Sequence, residues 1–334
     1  MNELYPLKFK PLYLDKIWGG QKIRTVLGKD FSPLYNCGEL WALSGVEDKE
    51  SVVENGFLKD HLLSELIEIY MGDLVGDSVF DRFGLEFPIL IKFINSEDWL
   101  SIQVHPDDEI AMKRHDSLGK TEMWYILEAD KDAEVICGFK KETDLFTYKK
   151  HLEQKTLKEI LNVEKALAGD VFFIPAGRVH ATGPGILLAE IQQSSDITYR
   201  LYDYDRLTPE GMLRELHTES ALDVIDFKAY PSYKSHVNPE NNDVRVLAES
   251  PHFSVSLLEF DKLQELDYAA VDSFVAYLCL EGSFDIIYNE GEKVSVEKAE
   301  AVLIPAELKN IQLQPSVKSR ILEIMIDGEQ EKSL

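Results

Sequence analysis

Short segments of apolar or alternating residues dominate the chain, and this pattern predicts a mainly β protein. The segments are rich in Ile, Val and Phe and are bounded by Gly, Pro, Asn and Asp, as the strands of antiparallel sheets are. The clearest are FPILIKFINSE, LSIQVHP, TEMWYILEA, AEVICGF, GDVFFIPAG and ILLAEIQQSSD, all between residues 87 and 196. Similar segments return after about residue 226, so we expect strands in both halves of the chain.

Three stretches have apolar residues at helical spacing instead, and they predict small helical insertions between the strands. They lie near residues 59–83, 140–167 and 207–225. In the third stretch, Thr208 suits the N-cap and Pro209 suits the first helical turn. No low-complexity linker divides the chain, so we expect its two halves to pack together.

A faint internal repeat indicates that the strands form two similar barrels. WYILEADKDAEVICGF is similar to AYLCLEGSFDIIYNE, and GDVFFIPAGRVH is similar to AEAVLIPAELKN. When the Pro residues of the second pair are aligned, Asn310 falls opposite His180, so the later copy keeps the apolar frame and loses the imidazole. We therefore predict a domain that carries the chemistry over residues 1–225, and a degenerate barrel without metal ligands over residues 226–334.

The charge of the chain points to small molecules as its partners. Its 334 residues carry a formal net charge of −25, which disfavours binding to nucleic acid or to an anionic membrane surface. We expect no membrane span and, because the three cysteines are far apart and the first residues lack an apolar signal core, a cytoplasmic protein with reduced thiols. The sequence carries no signal for an oligomeric state.

A strand with one polar face gives the first indication of chemistry. In SIQVHP, the side chains of Ser101, Gln103 and His105 alternate with the apolar Ile102 and Val104. Alternate residues of a strand point to the same side, so the three polar groups face one way. Polar groups on a buried strand need partners, and these three therefore mark a candidate site.

A second motif lies in GDVFFIPAGRVH, which has a Gly, five residues, a Pro, one residue, a Gly, two residues and a His. This pattern resembles the second motif of cupins, which are small antiparallel double-sheet barrels of the jelly-roll or double-stranded β-helix type. In that family, a companion stretch supplies two metal ligands on one strand and a carboxylate on a later one. The resemblance implies a site formed by Gln103, His105, Glu122 and His180, and these nitrogen and oxygen ligands suit Zn²⁺.

At these residues the chain also resembles a narrower family, the short bacterial form of the type I phosphomannose isomerases. The motifs that carry the resemblance are IWGG, GELWALSG, FPILIKFI, LSIQVHP, GKTEMWY, GDVFFIPAGRVHA and AEIQQSSDITYRLYDYDR. They cover most of residues 1–225 in order. The resemblance implies two cupin-type barrels and an isomerase that interconverts mannose 6-phosphate and fructose 6-phosphate with one Zn²⁺ per chain.

The same resemblance implies roles for individual residues. An aldose–ketose isomerisation passes through a cis-enediol and needs a base for the carbon proton; Glu190 is the first candidate for it and Lys120 is the alternative. Arg200 is expected to stabilise enediolate charge or else to anchor its loop through neighbouring acids. The matching positions are, for the metal, Gln103, His105, Glu122 and His180; for catalysis, Arg200, Glu190 and Lys120; and for substrate binding, Ser101, Arg206 and Glu39.

Residues of the first two motifs have less defined roles. Glu39 is expected to orient a metal ligand or a sugar hydroxyl. Trp18 and Trp41 are interpreted as pocket walls or as core residues, with the core interpretation favoured.

Two other functions stay open on the sequence. An iron-dependent cupin oxygenase usually presents three His and one Glu, and the amide of Gln103 in place of an imidazole disfavours it. A non-catalytic sugar-phosphate sensor should carry a DNA-binding or partner module, but no helix-turn-helix or basic segment is evident. Arg200 and Glu190 favour catalysis over sensing.

Overall fold

Strands make up most of the regular structure in the computed structural model, which describes residues 3–208, 211–238 and 241–326. The strands are β1 Leu7–Lys8, β2 Leu12–Leu14, β3 Glu39–Ser44, β4 Ile89–Ser96, β5 Ile102–Val104, β6 Glu122–Ala129, β7 Glu134–Phe139, β8 Leu161–Lys165, β9 Asp170–Ile174, β10 His180–Thr182, β11 Ile186–Gln193, β12 Tyr199–Tyr202, β13 Ser235–His236, β14 Asp243–Glu249, β15 Ser254–Phe260, β16 Gln264–Asp267, β17 Val275–Tyr288, β18 Glu292–Glu297, β19 Ala301–Ile304 and β20 Asn310–Met325. The helices are α1 Lys22–Thr25, α2 Leu63–Tyr70, α3 Gly72–Val75, α4 Asp77–Phe83, α5 Asp108–His115 and α6 Leu145–Glu153, with a 3₁₀ turn at Leu157–Glu159.

The named strands pair into three antiparallel sheets. A five-stranded sheet has the order β12-β5-β10-β7-β8, and a seven-stranded sheet has the order β13-β9-β6-β11-β4-β3-β2. The third sheet has the order β1-β19-β17-β20-β15-β14, with β16 also paired to β20 and β18 to β17. The prediction of a mainly β fold with small helical insertions is confirmed.

The central strands of the seven-stranded sheet are buried on both faces, and alternation along β4 shows how the two faces differ. Ile91 and Phe93 belong to the large apolar core that also contains Leu257 of the third sheet. Lys92 and Ile94, on the opposite face, line a cavity that lies toward the five-stranded sheet. One sheet therefore serves both as a wall of the core and as the floor of a polar cavity.

The boundary predicted at residue 225 does not coincide with the sheets. The N-terminal strand β1 pairs with β19, where Leu7 lies opposite Leu303. In the other direction, β13 pairs with β9, where Ser235 lies opposite Val171. Both pairings cross the expected boundary, and β1 also bonds within the first region, where the Lys8 N–H donates to Asn55 Oδ1. The division into 1–225 and 226–334 stays a prediction.

The three stretches with helical spacing of apolar residues form helices only in part. The stretch 59–83 contains α2, α3 and α4, whereas 140–167 contains α6 and then turns into β8. The stretch 207–225 forms no helix in its described residues; Pro209 lies outside them. Its Gly211 has φ +80 and reverses the chain, and Leu213 is 62% exposed, so the first part of the stretch buries no apolar face that would stabilise a helix. Ala221 and Ile225 are buried farther along, where the chain forms turns. No described helix is both long and apolar enough to cross a membrane.

The internal repeat is visible in the strand starts. When Glu128 of the first copy is aligned with Glu281 of the second, Val275 falls opposite Glu122. Glu122 begins β6 as Val275 begins β17, and His180 begins β10 as Asn310 begins β20. The repeat therefore preserves backbone positions, while the side chains that could hold a metal are present in the first copy alone at these positions.

The three cysteines are buried and free, as expected for reduced thiols. Burial raises the pKa of Cys37 to about 11 and the pKa values of Cys137 and Cys279 to about 12, so these thiols stay protonated at neutral pH.

Candidate active site

Two histidines and a glutamate converge between the five- and seven-stranded sheets. His105 directly follows β5, His180 begins β10, and Glu122 begins β6. All three are buried, and their potential ligand atoms lie within 4.8 Å of one another. His180 Nε2 is 3.1 Å from Glu122 Oε1, and His105 Nε2 is 3.5 Å from Glu122 Oε2. The two sheets thus bring together the strand and turn motifs of the sequence.

The rings of both histidines are oriented by backbone carbonyls. His105 Nδ1 lies 2.9 Å from the Ile197 carbonyl oxygen, and His180 Nδ1 lies 2.8 Å from that of Arg178. A carbonyl only accepts, so each Nδ1 carries the proton and each Nε2 keeps its lone pair for the cluster. This is the outer arrangement typical of metal-binding histidines.

The inward-facing atoms of the cluster lack protein partners. His105 Nε2, His180 Nε2 and both Glu122 carboxylate oxygens are buried without a hydrogen bond among the described residues. Four orphaned polar atoms around one point cost much free energy unless something binds them. Two imidazole nitrogens and a carboxylate fit a divalent cation, so the residues present suit a metal ion.

Gln103 lies where it can add a fourth ligand. Its Cα pairs with that of His180 on one side and with that of Arg200 on the other. Its side chain lines the cavity beside the cluster. The structure therefore brings the four predicted ligand positions together.

Burial sets the protonation of the cluster. It lowers the pKa of His180 to about 4 and, with the charge of Lys120, lowers the pKa of His105 well below its usual value. Burial and the charge of Glu190 raise the pKa of Glu122 well above its usual value. Neutral imidazoles are the metal-binding form, and a bound cation would keep Glu122 ionised.

A cavity of about 130 Å³ adjoins the cluster and is strongly cationic. Its walls are formed by Lys16, Trp18, Glu39, Lys92, Ile94, Leu100, Ser101, Gln103, Lys120, Trp124, Glu190, Thr198, Arg200 and Arg214. Five of these side chains are Lys or Arg and two are carboxylates. In a chain whose net charge is −25, this local excess of positive charge favours an anionic ligand.

Glu190 lies in a cross-strand row of polar and aromatic side chains. Its register partners are Lys92 on β4 and Trp124 on β6. Lys92 Nζ is 2.6 Å from Glu190 Oε2, and Trp124 Nε1 donates to Glu190 Oε1 at 2.7 Å. Burial alone would raise the pKa of Glu190, but the charges of Lys92 and Lys120 outweigh it and lower this pKa to about 2. The raised pKa that a carbon base would need is not found at Glu190.

The side chain of Lys120 has a more distant ionic partner than that of Glu190. Its Nζ is 3.9 Å from Glu122 Oε2, and burial together with the charge of Lys92 lowers its pKa. Its backbone N–H donates to the Pro106 carbonyl, so the loop that carries Lys120 is tied to the end of the SIQVHP strand. A buried lysine with a lowered pKa is suited to proton transfer.

The predicted arginines separate into different positions. Arg200 lines the cavity, and its Nη1 donates to the Glu215 carbonyl at 2.8 Å. Arg206 is not among the described cavity residues; its Nη2 donates to Asp203 Oδ1 at 2.6 Å. Arg214, which the sequence did not single out, lines the cavity instead. Arg214 was not recognised as a site residue in the sequence because it lies in the stretch for which a helix was predicted.

Other predicted residues also reach the cavity, and Lys92 is an addition to them. Ser101, Glu39 and Trp18 all line it. Trp41 donates from Nε1 to Glu39 Oε2 at 2.8 Å and so orients that carboxylate from behind. Lys92 was detectable in FPILIKFI as one lysine in an otherwise apolar buried strand, a position that needs an ionic partner.

Comparison with known proteins gives a consistent family. A sequence model described as the catalytic domain of type I phosphomannose isomerase matches residues 7–151. Mannose-6-phosphate isomerase ManA of Bacillus subtilis (strain 168) is 38% identical over 326 residues, covering 92% of this chain and 96% of the relative. The mannose-6-phosphate isomerase of Streptococcus mutans is 34% identical over 313 residues, covering 91% and 95%.

Solved structures agree with the sequence relatives. The crystal structure of the mannose 6-phosphate isomerase from Bacillus subtilis superposes with a TM-score of 0.83 at 30% identity, covering 95% of this chain and 99% of the other. A phosphomannose isomerase variant from Salmonella typhimurium shares the fold, with a TM-score of 0.76 at 18% identity and coverage of 96% and 99%. The chain belongs to the type I phosphomannose isomerase family and is a mannose-6-phosphate isomerase.

Proposed function

We propose that this isomerase acts in the cytoplasm with one zinc ion per chain, and that it interconverts mannose 6-phosphate and fructose 6-phosphate through a cis-enediol. The observation that carries the proposal is the cluster of His105, Glu122 and His180, whose unpartnered atoms adjoin a cation-lined cavity. With Gln103 these residues would hold the ion. When bound, zinc would supply a Lewis acid that polarises the sugar carbonyl.

The protein's own residues would position the sugar and move its protons. Arg200, always cationic, would face the oxygens of C1 and C2 and stabilise negative charge as the enediol forms. Glu39, held by Trp41, would accept a hydrogen bond from a sugar hydroxyl. The walls formed by Trp18 and Trp124 would exclude water from the reacting carbons and strengthen these polar contacts.

Lys120 is the carbon base that the contacts support. Glu190 is occupied by Lys92 and Trp124, whereas the nearest carboxylate to Lys120 Nζ is at 3.9 Å. In the neutral form that its lowered pKa favours, the Lys120 amine would take the proton from one carbon and return it to the other.

This assignment predicts different outcomes for two variants. Lys120→Gln should lower kcat by about 10²- to 10⁴-fold, together with the exchange of substrate hydrogen for solvent deuterium. Glu190→Gln should retain measurable exchange but lower the free energy of unfolding by about 3 kcal/mol, because it leaves the buried Lys92 without its carboxylate. Mass spectrometry of the product and denaturant unfolding measure the two effects. Exchange abolished in Glu190→Gln and kept in Lys120→Gln would assign the base to Glu190.

Metal removal tests the zinc mechanism. A coupled assay of mannose 6-phosphate conversion should lose its activity after chelation and regain it when one equivalent of Zn²⁺ is restored, with metal analysis on the same samples. Full turnover by metal-free protein would contradict the mechanism. Activity that returns only with Fe²⁺ and is accompanied by oxygen consumption would favour the oxygenase chemistry instead.

A further inference from the structure

We propose that Arg214 binds the phosphate group of the substrate, and that Arg206 is a positioning residue that holds Arg214 through Asp203 without touching the sugar. The proposal rests on the proposed function, since it takes a sugar phosphate as the ligand. It assigns a role to a residue that belongs to none of the motifs carrying the family resemblance.

Asp203 holds Arg214 at the cavity wall by one edge of its guanidinium. Arg214 Nε donates to Asp203 Oδ2 at 2.7 Å, and Arg214 Nη2 donates to Asp203 Oδ1. These two bonds use two of the five guanidinium N–H groups. Among the described residues no other hydrogen bond is formed by this side chain, so its remaining N–H groups are available to an anion in the cavity that it lines.

Arg206 has no comparable capacity. Its Nη2 and Nε donate to the Asp203 carboxylate and carbonyl at 2.6 and 3.3 Å, and its Nη1 donates to the Trp99 carbonyl and to Asp98. Every nitrogen of this guanidinium is therefore used within the protein. Arg206 fixes the Asp203 carboxylate from behind, and the carboxylate in turn fixes Arg214.

The three guanidinium groups near this wall, those of Arg200, Arg206 and Arg214, are met by two carboxylates, those of Asp203 and Asp98. The buried Asp203 carboxylate serves two guanidinium groups, those of Arg206 and Arg214. The neighbouring Arg200 is met by a backbone carbonyl at Nη1, and its buried Nε has no hydrogen-bond partner among the described residues. A phosphate dianion supplies the missing negative charge and the acceptor oxygens that guanidinium groups bind best.

The position of Asp203 along the sheet places this wall away from the metal cluster. In the β5–β12 pair, Arg200 lies opposite Gln103 and Tyr202 lies opposite Ile102, so Asp203 follows toward Ser101. His105 lies just beyond the other end of β5. Gln103 and Ser101 are two strand positions apart, about 7 Å, which is comparable with the span from C2 of an open-chain hexose to a phosphate on C6. Arg214 is thus at the Ser101 end, where the phosphate would lie when C1 and C2 face the metal ligands.

The backbone around Asp203 is strained in a way that fits this role. Tyr204 and Asp205 both have positive φ angles, 58 and 55, which residues other than Gly seldom adopt. The chain then reverses at Gly211, and the His217 N–H donates to the Arg200 carbonyl at 2.7 Å. Two tight turns in succession bring Arg214 back to the carboxylate, and such strain is typical of functional sites.

The experiment compares Arg214→Gln with a matched arginine that anchors the same segment elsewhere. Arg114 donates to the Ser220 carbonyl and to Asp223, outside the cavity. We expect Arg214→Gln to raise the KM for mannose 6-phosphate about 10- to 100-fold with kcat changed less than about threefold. The inhibition constants of sorbitol 6-phosphate and of inorganic phosphate, which have no carbonyl to isomerise, should rise in parallel. Arg114→Gln should leave all of these constants within about twofold of the parent enzyme.

Three results would overturn the assignment of Arg214. They are an unchanged inhibition constant for sorbitol 6-phosphate in Arg214→Gln, a fall in kcat alone, and an equal effect of Arg114→Gln. Circular dichroism checks folding, and Arg214→Lys, which keeps the charge but loses the two-point contact with Asp203, should give an intermediate KM. If Arg214→Lys matches the parent in KM and inhibition, the guanidinium contact is not used.

The role of Arg206 is tested by a double-variant cycle. Arg206→Gln should raise KM, Arg206→Lys should restore part of the loss, and Arg206→Gln combined with Arg214→Gln should be no worse than Arg214→Gln alone. If the double variant instead raises KM by the product of the two single effects, Arg206 binds phosphate itself. The inference and the proposed function can fail separately. Calorimetry of sorbitol 6-phosphate binding reports on Arg214 even in a protein without isomerase turnover. Conversely, an active Arg214→Gln variant that binds phosphate as tightly as the parent would contradict the inference alone.

Discussion

Replacing His180 with alanine is expected to remove both the bound metal and isomerase turnover. His180 is wholly buried, its Nδ1 is held by the Arg178 carbonyl, and its Nε2 faces Glu122. Because alanine leaves only His105, Glu122 and the amide of Gln103, we expect metal affinity to fall by more than about 100-fold, the upper range for losing an outer-shell partner. Turnover should fall in proportion to bound metal.

Metal analysis and the coupled assay measure this result on the same samples. His151→Ala is the matched control. His151 lies on α6, its Nδ1 is 2.8 Å from Thr156 Oγ1, and it is not part of the cluster. Gln103→Ala tests the fourth position and should also lower bound metal and turnover. Normal turnover by metal-free His180→Ala would refute the metal mechanism, and unchanged metal content in Gln103→Ala would remove the amide from the ligand set.

Arg200→Ala is expected to keep its metal and to lose about 10²- to 10³-fold in kcat. Arg200 lies directly across β5 from Gln103, and its guanidinium is positioned by the Glu215 carbonyl. A cation held there stabilises negative charge that develops only as the enediol forms, so its loss should appear mainly in kcat. Arg200→Lys should recover part of the rate because it restores the charge but not the planar geometry.

Steady-state kinetics with metal analysis distinguishes this role from that of a structural anchor. An anchor for the loop would, when removed, lower the free energy of unfolding and disturb metal content along with the rate. Arg24→Ala, which breaks an exposed ion pair with Asp30, should change none of these quantities. An unchanged kcat in Arg200→Ala would end the catalytic assignment.

Motifs that are local in the chain were predictable because their chemistry depends on spacing alone. Period-two alternation places Gln103 and His105 on one face, and the PAGRVH turn delivers His180. Lys92 was predictable in principle by the same rule. The helix expected over 207–225 was wrong because apolar spacing does not show which side chains are covered: Leu213 stays exposed, and the buried Ala221 and Ile225 lie at turns.

By itself the sequence determined the β class of the fold, the family and the candidate metal ligands, since alternation and turn chemistry act over a few residues. The tertiary structure decided which charged side chains contact one another. Whether Glu190 has the pKa of a base depended on Lys92 across the sheet, and whether Arg206 or Arg214 reaches the cavity depended on where Asp203 lies. Such pairings join residues from different strands and turns, and no periodicity within one segment encodes them.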